Sequence, residues 1–325
     1  MADNQAMTLK PRIAITTGDA AGIGPEVAVK ALEDANLRDA ADIILVGDAA
    51  HLRAVAYRFS QGNSVLDAIT IEDLANLPQE IVYGIDSAVT GKAAAENIVR
   101  AVELWKADKI DAIVTAPISK NAIKLAGFNF PGHTEFLAHL TDTNEFAMSF
   151  FAGTLRVALM STHLPLTEAI AFVTAERVAK LIRFCDREFT KLLGRKPCIA
   201  VAGINPHASE GGMFGREESE RIVPAIEECF AEGIDVSGPH PADTVFFNAQ
   251  RGKFDAVLAM YHDQATIPVK TTAFDRAVNV TLGLPVLRTS VDHGTAYDIA
   301  GKGIANAENM TAALELAIDL VRLPK

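Results

Sequence analysis

Cysteine is scarce in this chain, three residues in 325, and no two of them form a Cys-x-x-Cys pair. A disulfide framework or a thiolate metal site is thereby excluded as the organising chemistry. Cys185 falls on an apolar stripe with Val178, Leu181, Ile182 and Phe189, Cys229 follows Ile222 and Ile226 on another, and Cys198 opens an apolar strand. All three read as small buried hydrophobes. Long apolar runs are also missing, none nearing the roughly eighteen residues a membrane helix needs, so no membrane partner is expected. The net charge of −11 opposes non-specific nucleic-acid binding. It leaves room for an anionic small substrate, because one cleft can gather positive charge on an acidic protein. The segment from Met1 to Lys10 is polar and lacks the apolar centre of a signal peptide, which points to the cytoplasm.

What is present is an ordinary globular composition, 49% hydrophobic and 22% charged. Short apolar runs alternate with helical stripes. Ile13–Ile15 and Ile43–Gly47 read as strands, and Pro25 opens a helix at the first turn, where proline is tolerated. The stretch from Gly91 to Ala107 carries Ala95, Ile98, Val99, Val102 and Trp105 on one face of a helix. Ala112–Pro117 is a buried strand, and the stretches near 176–193 and 308–321 repeat the helical period. Pro224, inside the apolar stripe over 217–230, is expected to bend or split that helix. Strand followed by helix, repeated, predicts an α/β protein with a largely parallel sheet. No Pro/Ser/Gly-rich linker divides the chain, so two lobes, if present, interleave.

Three histidines stand where an apolar run breaks into a polar turn. His163 follows Val157–Met160, His207 follows Ile199–Ala202, and His262 follows Ala256–Met260. Each would project beyond a strand's carboxyl end, the edge where ligands collect in α/β sheets. Taken singly, each is more often a hydrogen-bonded loop residue. Together, three imidazoles from separate strands suit one divalent metal with a position left open for substrate.

Two glycine-rich segments remain. Gly22-x-Gly24 follows the first strand, but position 27 is Val27, so the dinucleotide fingerprint of a Rossmann fold fails and a turn entering a helix explains it equally well. The second runs Asp292-His293-Gly294-Thr295-Ala296-Tyr297-Asp298-Ile299-Ala300-Gly301. It resembles the adenosine-binding loop of the isocitrate and isopropylmalate dehydrogenases, which hold NAD without a Rossmann fold. A closer resemblance spans nearly the whole chain. Pro131-Gly132-His133-Thr134-Glu135, Ser161–Leu166, Asn205-Pro206-His207-Ala208, Pro241-Ala242-Asp243-Thr244, Ala259–Gln264 and Val278–Pro285 running into Arg288-Thr289-Ser290 are similar to blocks of the 4-hydroxythreonine-4-phosphate dehydrogenase family.

That resemblance implies an isocitrate/isopropylmalate dehydrogenase-like α/β fold of two interleaved lobes with the active site in the cleft between them. It implies a homodimer with shared active sites and a small phosphorylated substrate, most simply 4-phosphooxy-L-threonine in pyridoxal 5′-phosphate biosynthesis. Hydride would pass from C3 to NAD, leaving a β-keto acid that loses carbon dioxide. His163, His207 and His262 would hold one divalent metal, drawn from zinc, magnesium, manganese or cobalt. His133, Thr134, Lys270, Asn279 and Arg288 would contact substrate, and His293, Gly294, Thr295, Ala296 and Asp298 the cofactor. Lys270, Asp243 and Asp263 are the candidate catalytic groups, the two carboxylates as acceptors that orient histidine ligands. From the sequence, Lys270 is expected at a strand or loop end, Thr134 as the cap of a helix beginning near Glu135, and Lys120 as a further anion contact. No basic pair in the cofactor loop awaits a 2′-phosphate, so NAD is expected rather than NADP. The chain departs from the family pattern at Ala20, Ala265, Ala273, Asp275 and Ala277. These changes keep 4-phospho-D-threonate and 4-phospho-D-erythronate open as substrates. A dihydrodiol dehydrogenase of aromatic degradation is a third alternative. From another class, a metal-dependent hydrolase or aldolase acting on a phosphorylated small acid would use the same three histidines without NAD.

Overall fold

The computed structural model describes residues 10–60, 62 and 64–323. The amino-terminal segment 1–9, on which the cytoplasmic expectation partly rests, lies outside the described residues. In chain order the strands are β1 (Arg12–Thr16), β2 (Asp42–Gly47), β3 (Thr70–Asp73), β4 (Ala112–Thr115), β5 (Ala147–Ala152), β6 (Leu155–Leu159), β7 (Ile199–Ala202), β8 (Val236–His240), β9 (Ala256–Ala259), β10 (Val278–Leu282) and β11 (Leu287–Val291). The chain divides into two compact units, one taking in the described residues up to Asp142 with Pro285–Arg322, the other Thr143–Leu284.

In the first unit the strand order is β3-β2-β1-β4-β11, and every pairing is parallel. Parallel strands covered on both faces need apolar side chains throughout, and Ala112–Thr115 is buried at every position. The helix Glu308–Arg322 packs on β11 and β4. In the second unit the order is β10-β5-β6-β9-β7-β8. The β10–β5 and β5–β6 pairs are antiparallel, and β6–β9, β9–β7 and β7–β8 are parallel. Its core gathers Phe150, Val157, Leu159, Val245, Phe246, Val257 and Val269. The α/β class with mostly parallel strands is as expected. Among the described residues no helix is long and apolar enough to cross a membrane. Cys185, Cys198 and Cys229 are free thiols, and Cys185 and Cys229 are buried.

Three local expectations are corrected. The helix expected from Gly91 begins earlier and spans Ala88–Lys106, because Ser87 caps it by accepting from the Thr90 amide at 3.1 Å. Gly91 is a contact point: a Cβ there would lie 2.0 Å from the Ala122 carbonyl oxygen, on the helix Lys120–Leu125. Thr134 is not the cap residue; the helix His133–Leu140 has Gly132 in that position. Lys270 sits in the last turn of the helix His262–Ala273, which runs through Pro268. Burial of Ala265, Thr266 and Val269 on one face outweighs the single amide that proline removes. Pro224 behaves as expected: a π turn over Glu218–Ile222 gives way to the helix Val223–Ala231, with proline in its first turn.

Gly91→Ala is expected to destabilise the protein by at least about 2 kcal/mol, since two backbones must separate to admit one methyl group. Chemical denaturation measures it, and a change under 0.5 kcal/mol would contradict this packing.

Candidate functional site

The three histidines all lie in the second unit, and their strands are neighbours. His163 follows β6, His262 follows β9 and His207 follows β7, in the spatial order β6-β9-β7. The parallel pairings aim all three carboxyl ends the same way. The rings of His163 and His262 approach to 5.6 Å between centroids. His262 Nδ1 donates to Asp263 Oδ1 at 2.8 Å, which fixes the tautomer that leaves Nε2 as a lone-pair donor to a cation. His207 stands apart on the turn Pro206–Gly212, where His207, Ala208, Ser209 and Glu210 all take left-handed backbone conformations. Its ring lies beside Phe214, at 6.3 Å. Among the described residues no three His, Cys, Asp or Glu side chains converge closely enough to hold a metal. The chain thus pairs two of the expected ligands and leaves the third on the adjacent strand end.

Asp243, at the start of the helix Ala242–Gln250, and Asp263 border one groove of about 700 Å³ that Tyr261, Phe247 and Ile267 also line. Of the two carboxylates, Asp263 orients a histidine and Asp243 does not. Lys270 stands over Phe274, its Nζ 5.7 Å from the ring centroid. Asn279 lies on β10 in the same unit.

The other expected substrate contacts belong to the first unit. Arg288, on β11, is 3% exposed and donates to Thr115 Oγ1 from Nε at 3.2 Å and from Nη2 at 2.8 Å. Burial pushes its guanidinium down to about 9, against the pull of Glu135, so it remains a cation at neutral pH. His133 opens the helix His133–Leu140, and its Nε2 is sealed from solvent with no hydrogen-bond partner. Burial, and after it the Arg288 charge, hold His133 well below the usual imidazole value. A buried imidazole nitrogen without a partner, near a buried guanidinium at a helix start, suits an anion. Lys120 runs beside the residue before His133, its Cε 3.9 Å from where a Gly132 Cβ would lie.

The loop from Asp292 is held from below by the first glycine segment, whose purpose the sequence left open. The Ile23 amide donates to the Thr295 carbonyl at 3.0 Å, and a Cβ on Gly22 would stand 2.9 Å from that same oxygen. Tyr297 donates its hydroxyl to the buried Asp19 at 2.8 Å and to Asp86 at 2.9 Å. Glu26, 3% exposed, accepts from the Ala305 amide, and Lys30 donates to the Gly303 and Ala305 carbonyls. Gly301 and Gly303 take positive φ under the rings of Tyr83 and Phe59. At Gly294, by contrast, a Cβ would meet nothing within 4 Å, so packing does not require glycine there. The bare backbone is open to a ligand. His293 Nδ1 donates to the Gly294 carbonyl at 3.0 Å, leaving a buried Nε2 acceptor without a partner. Open backbone and an orphaned acceptor fit a bound nucleotide. Ala296 is in the left-handed region at φ 44°, and Asp298 is exposed. The supporting residues Glu26, Lys30, Asp19 and Tyr297 were not singled out from sequence. One local signal was a Glu-Lys pair four apart in an otherwise apolar helix.

Comparison with known proteins gives a consistent result. The family described as "Pyridoxal phosphate biosynthetic protein PdxA" matches residues 28–317. A D-threonate 4-phosphate dehydrogenase of Cupriavidus necator is 47% identical, over 95% of this chain and 97% of its own length. A 4-hydroxythreonine-4-phosphate dehydrogenase of Trichlorobacter lovleyi is 44% identical, over 96% and 98%. The crystal structure of a 4-hydroxythreonine-4-phosphate dehydrogenase from Klebsiella pneumoniae superimposes with a TM-score of 0.89 at 40% identity, covering 96% of this chain and 98% of that one.

His133 gives this site a pH signature. Its imidazole stays neutral when folded but takes up a proton below about pH 6.5 when unfolded, so stability falls as pH drops from there toward the lowered folded value. His51 and His240, lowered by burial too, add to that slope. The contribution of His133 is therefore the difference between wild type and His133→Asn, up to about 1.4 kcal/mol per pH unit. Parallel stability-pH curves for the two proteins between pH 6.5 and 5 would contradict it.

Proposed function

This chain belongs to the pyridoxal phosphate biosynthetic protein PdxA family, and we propose that it oxidises a small phosphorylated hydroxy acid with NAD and a divalent metal. The favoured substrate is 4-phosphooxy-L-threonine, oxidised at C3 to a β-keto acid that decarboxylates. One observation carries the reading: three histidines leave the carboxyl ends of adjacent parallel strands, with Asp263 holding the tautomer of one of them. Such a set has little use in a protein that only binds a phosphometabolite. A divalent ion held there would act as a Lewis acid toward the substrate hydroxyl and toward the charge that develops on decarboxylation. Neutral imidazoles would leave its full charge for the substrate, and zinc suits nitrogen donors.

The remaining roles fall to residues already described. Arg288 offers a guanidinium fork, and Lys120 a point charge, to phosphate or carboxylate. His133, kept neutral by burial, donates a hydrogen bond to the same anion through Nε2. Lys270 and Asn279 are assigned to substrate, Lys270 with Asp243 and Asp263 as the candidates for proton handling. The Asp292–Asn306 loop takes the adenosine half of NAD against Gly294, with His293 Nε2 as a fixed acceptor. NAD, when bound, receives the hydride. The metal set closes between two copies of the chain in a homodimer. The separation of His207 from the His163–His262 pair supports that, as do the exposed Phe247 and Ile267 beside the groove.

Oxidation of 4-phospho-D-threonate is the second reading, favoured by the 47% identity to the Cupriavidus necator protein of that name. Purified protein with zinc should produce NADH from one of these two phosphorylated acids, with kcat/KM at least tenfold higher for NAD than for NADP. His207→Ala should abolish turnover while binding NAD as wild type does, and light scattering should report a dimer. Full turnover in metal-stripped protein, or by an active monomer, would overturn this reading.

A further inference from the structure

The histidine turns of the second unit are joined beneath the surface by buried side chains whose polar atoms are taken up by backbone groups. Gln264 is 6% exposed, and its two amide ends serve two different strand ends. Its Oε1 accepts from the Met260 amide at 2.7 Å, at the end of β9. Its Nε2 donates to the Gly203 carbonyl at 2.6 Å, at the end of β7. The partners dictate the orientation, since an amide N–H must meet the oxygen and a carbonyl must meet the nitrogen. On the far side of Met260, Ser161 Oγ donates to the Met260 carbonyl at 3.0 Å and ties in the end of β6. On the far side of Gly203, the buried Glu218 accepts from the Ile204 and Asn205 amides, both at 2.7 Å, and from Asn205 Nδ2 at 2.9 Å.

The bonds form one chain. It touches Ser161, two residues before His163; Met260, two before His262; and Asn205, two before His207. Gly203 lacks a side chain where this chain closes, since a Cβ there would lie 3.0 Å from Ala208 Cα.

We propose that Gln264 is a positioning residue for the metal centre, the link that holds the turns carrying His207 and His262 in the conformations from which each presents its histidine. The inference rests on the metal reading given above. Gln264 borders the groove, but its Oε1 and Nε2 are both engaged by backbone groups, so its role toward the metal is indirect. Its removal would leave the Met260 amide and the Gly203 carbonyl to find other partners, and the two turns would relax independently. Partners behind metal ligands typically contribute 10- to 100-fold in affinity.

The test is the zinc dissociation constant of the full-length protein, measured by competition with a chromophoric chelator, for wild type, Gln264→Leu, Gln264→Glu and His262→Ala. Gln264→Leu is expected to weaken zinc binding about 10- to 100-fold with an unchanged NAD dissociation constant and cooperative unfolding. Its turnover should return at excess zinc, whereas that of His262→Ala should not. Gln264→Glu keeps the acceptor for Met260 but loses the donor to Gly203, and should weaken zinc in the same direction. It serves alone if the leucine variant does not fold. Wild-type zinc affinity in either folded Gln264 variant, with affinity lost in His262→Ala, would overturn the inference and leave the metal reading standing. Equal zinc binding by wild type and His262→Ala would overturn both.

Discussion

A peptide group buried beyond a strand's end must find a hydrogen-bond partner, and the architecture of both units follows from how this is done. An unpaired buried group costs on the order of 1–3 kcal/mol, so the turns that carry functional residues are fastened by whichever side chain reaches them. In the second unit Gln264, Ser161 and Glu218 do this for the turns bearing the histidines. In the first, Glu26 and Lys30 fasten the far end of the Asp292–Asn306 loop, and Asp19 and Asp86 receive Tyr297. Irregular backbone is held rigid without being covered by apolar mass, which leaves it open to ligands.

Electrostatics divides the labour. The second unit gathers imidazoles and carboxylates at one sheet edge, the side chains proposed above for a cation. The first gathers Arg288, Lys120 and a helix start around an imidazole that burial keeps neutral. On a chain of net charge −11 this is a local concentration of positive charge that an anionic substrate would favour. Tyr297 contributes differently: burial raises its phenol, so it remains a donor to the two carboxylates it joins.

Much of this was legible in the sequence. The strand-end placement of His163, His207 and His262 could be read because a buried parallel strand is a short apolar run bounded by a turn. Which strands are neighbours could not, since β6, β9 and β7 are brought together by pairings between residues as far apart in the chain as Val157 and Val257. The amphipathic stretch was read as beginning at Gly91; the contact of that glycine with Ala122 depends on a second helix and has no local sign. Lys270 was expected at a strand or loop end, yet burial of the helix face carries the helix through Pro268 to include it. Gln264 and Glu218 gave no local signal, because a buried polar side chain is marked by its partners and not by its neighbours in sequence. Gly22 and Gly24, a failed cofactor fingerprint, serve instead as close-approach points, Gly22 to the Thr295 segment and Gly24 to the Thr17 carbonyl.

The central claim is that the three strand-end histidines supply one metal with nitrogen ligands. X-ray absorption spectroscopy on zinc-loaded protein tests it most directly. The account requires a shell of three imidazole nitrogens at about 2.0–2.1 Å with no sulfur near 2.3 Å. It also requires the loss of one imidazole from that shell in His207→Ala. A shell of oxygen alone, or one indifferent to His207, would contradict it.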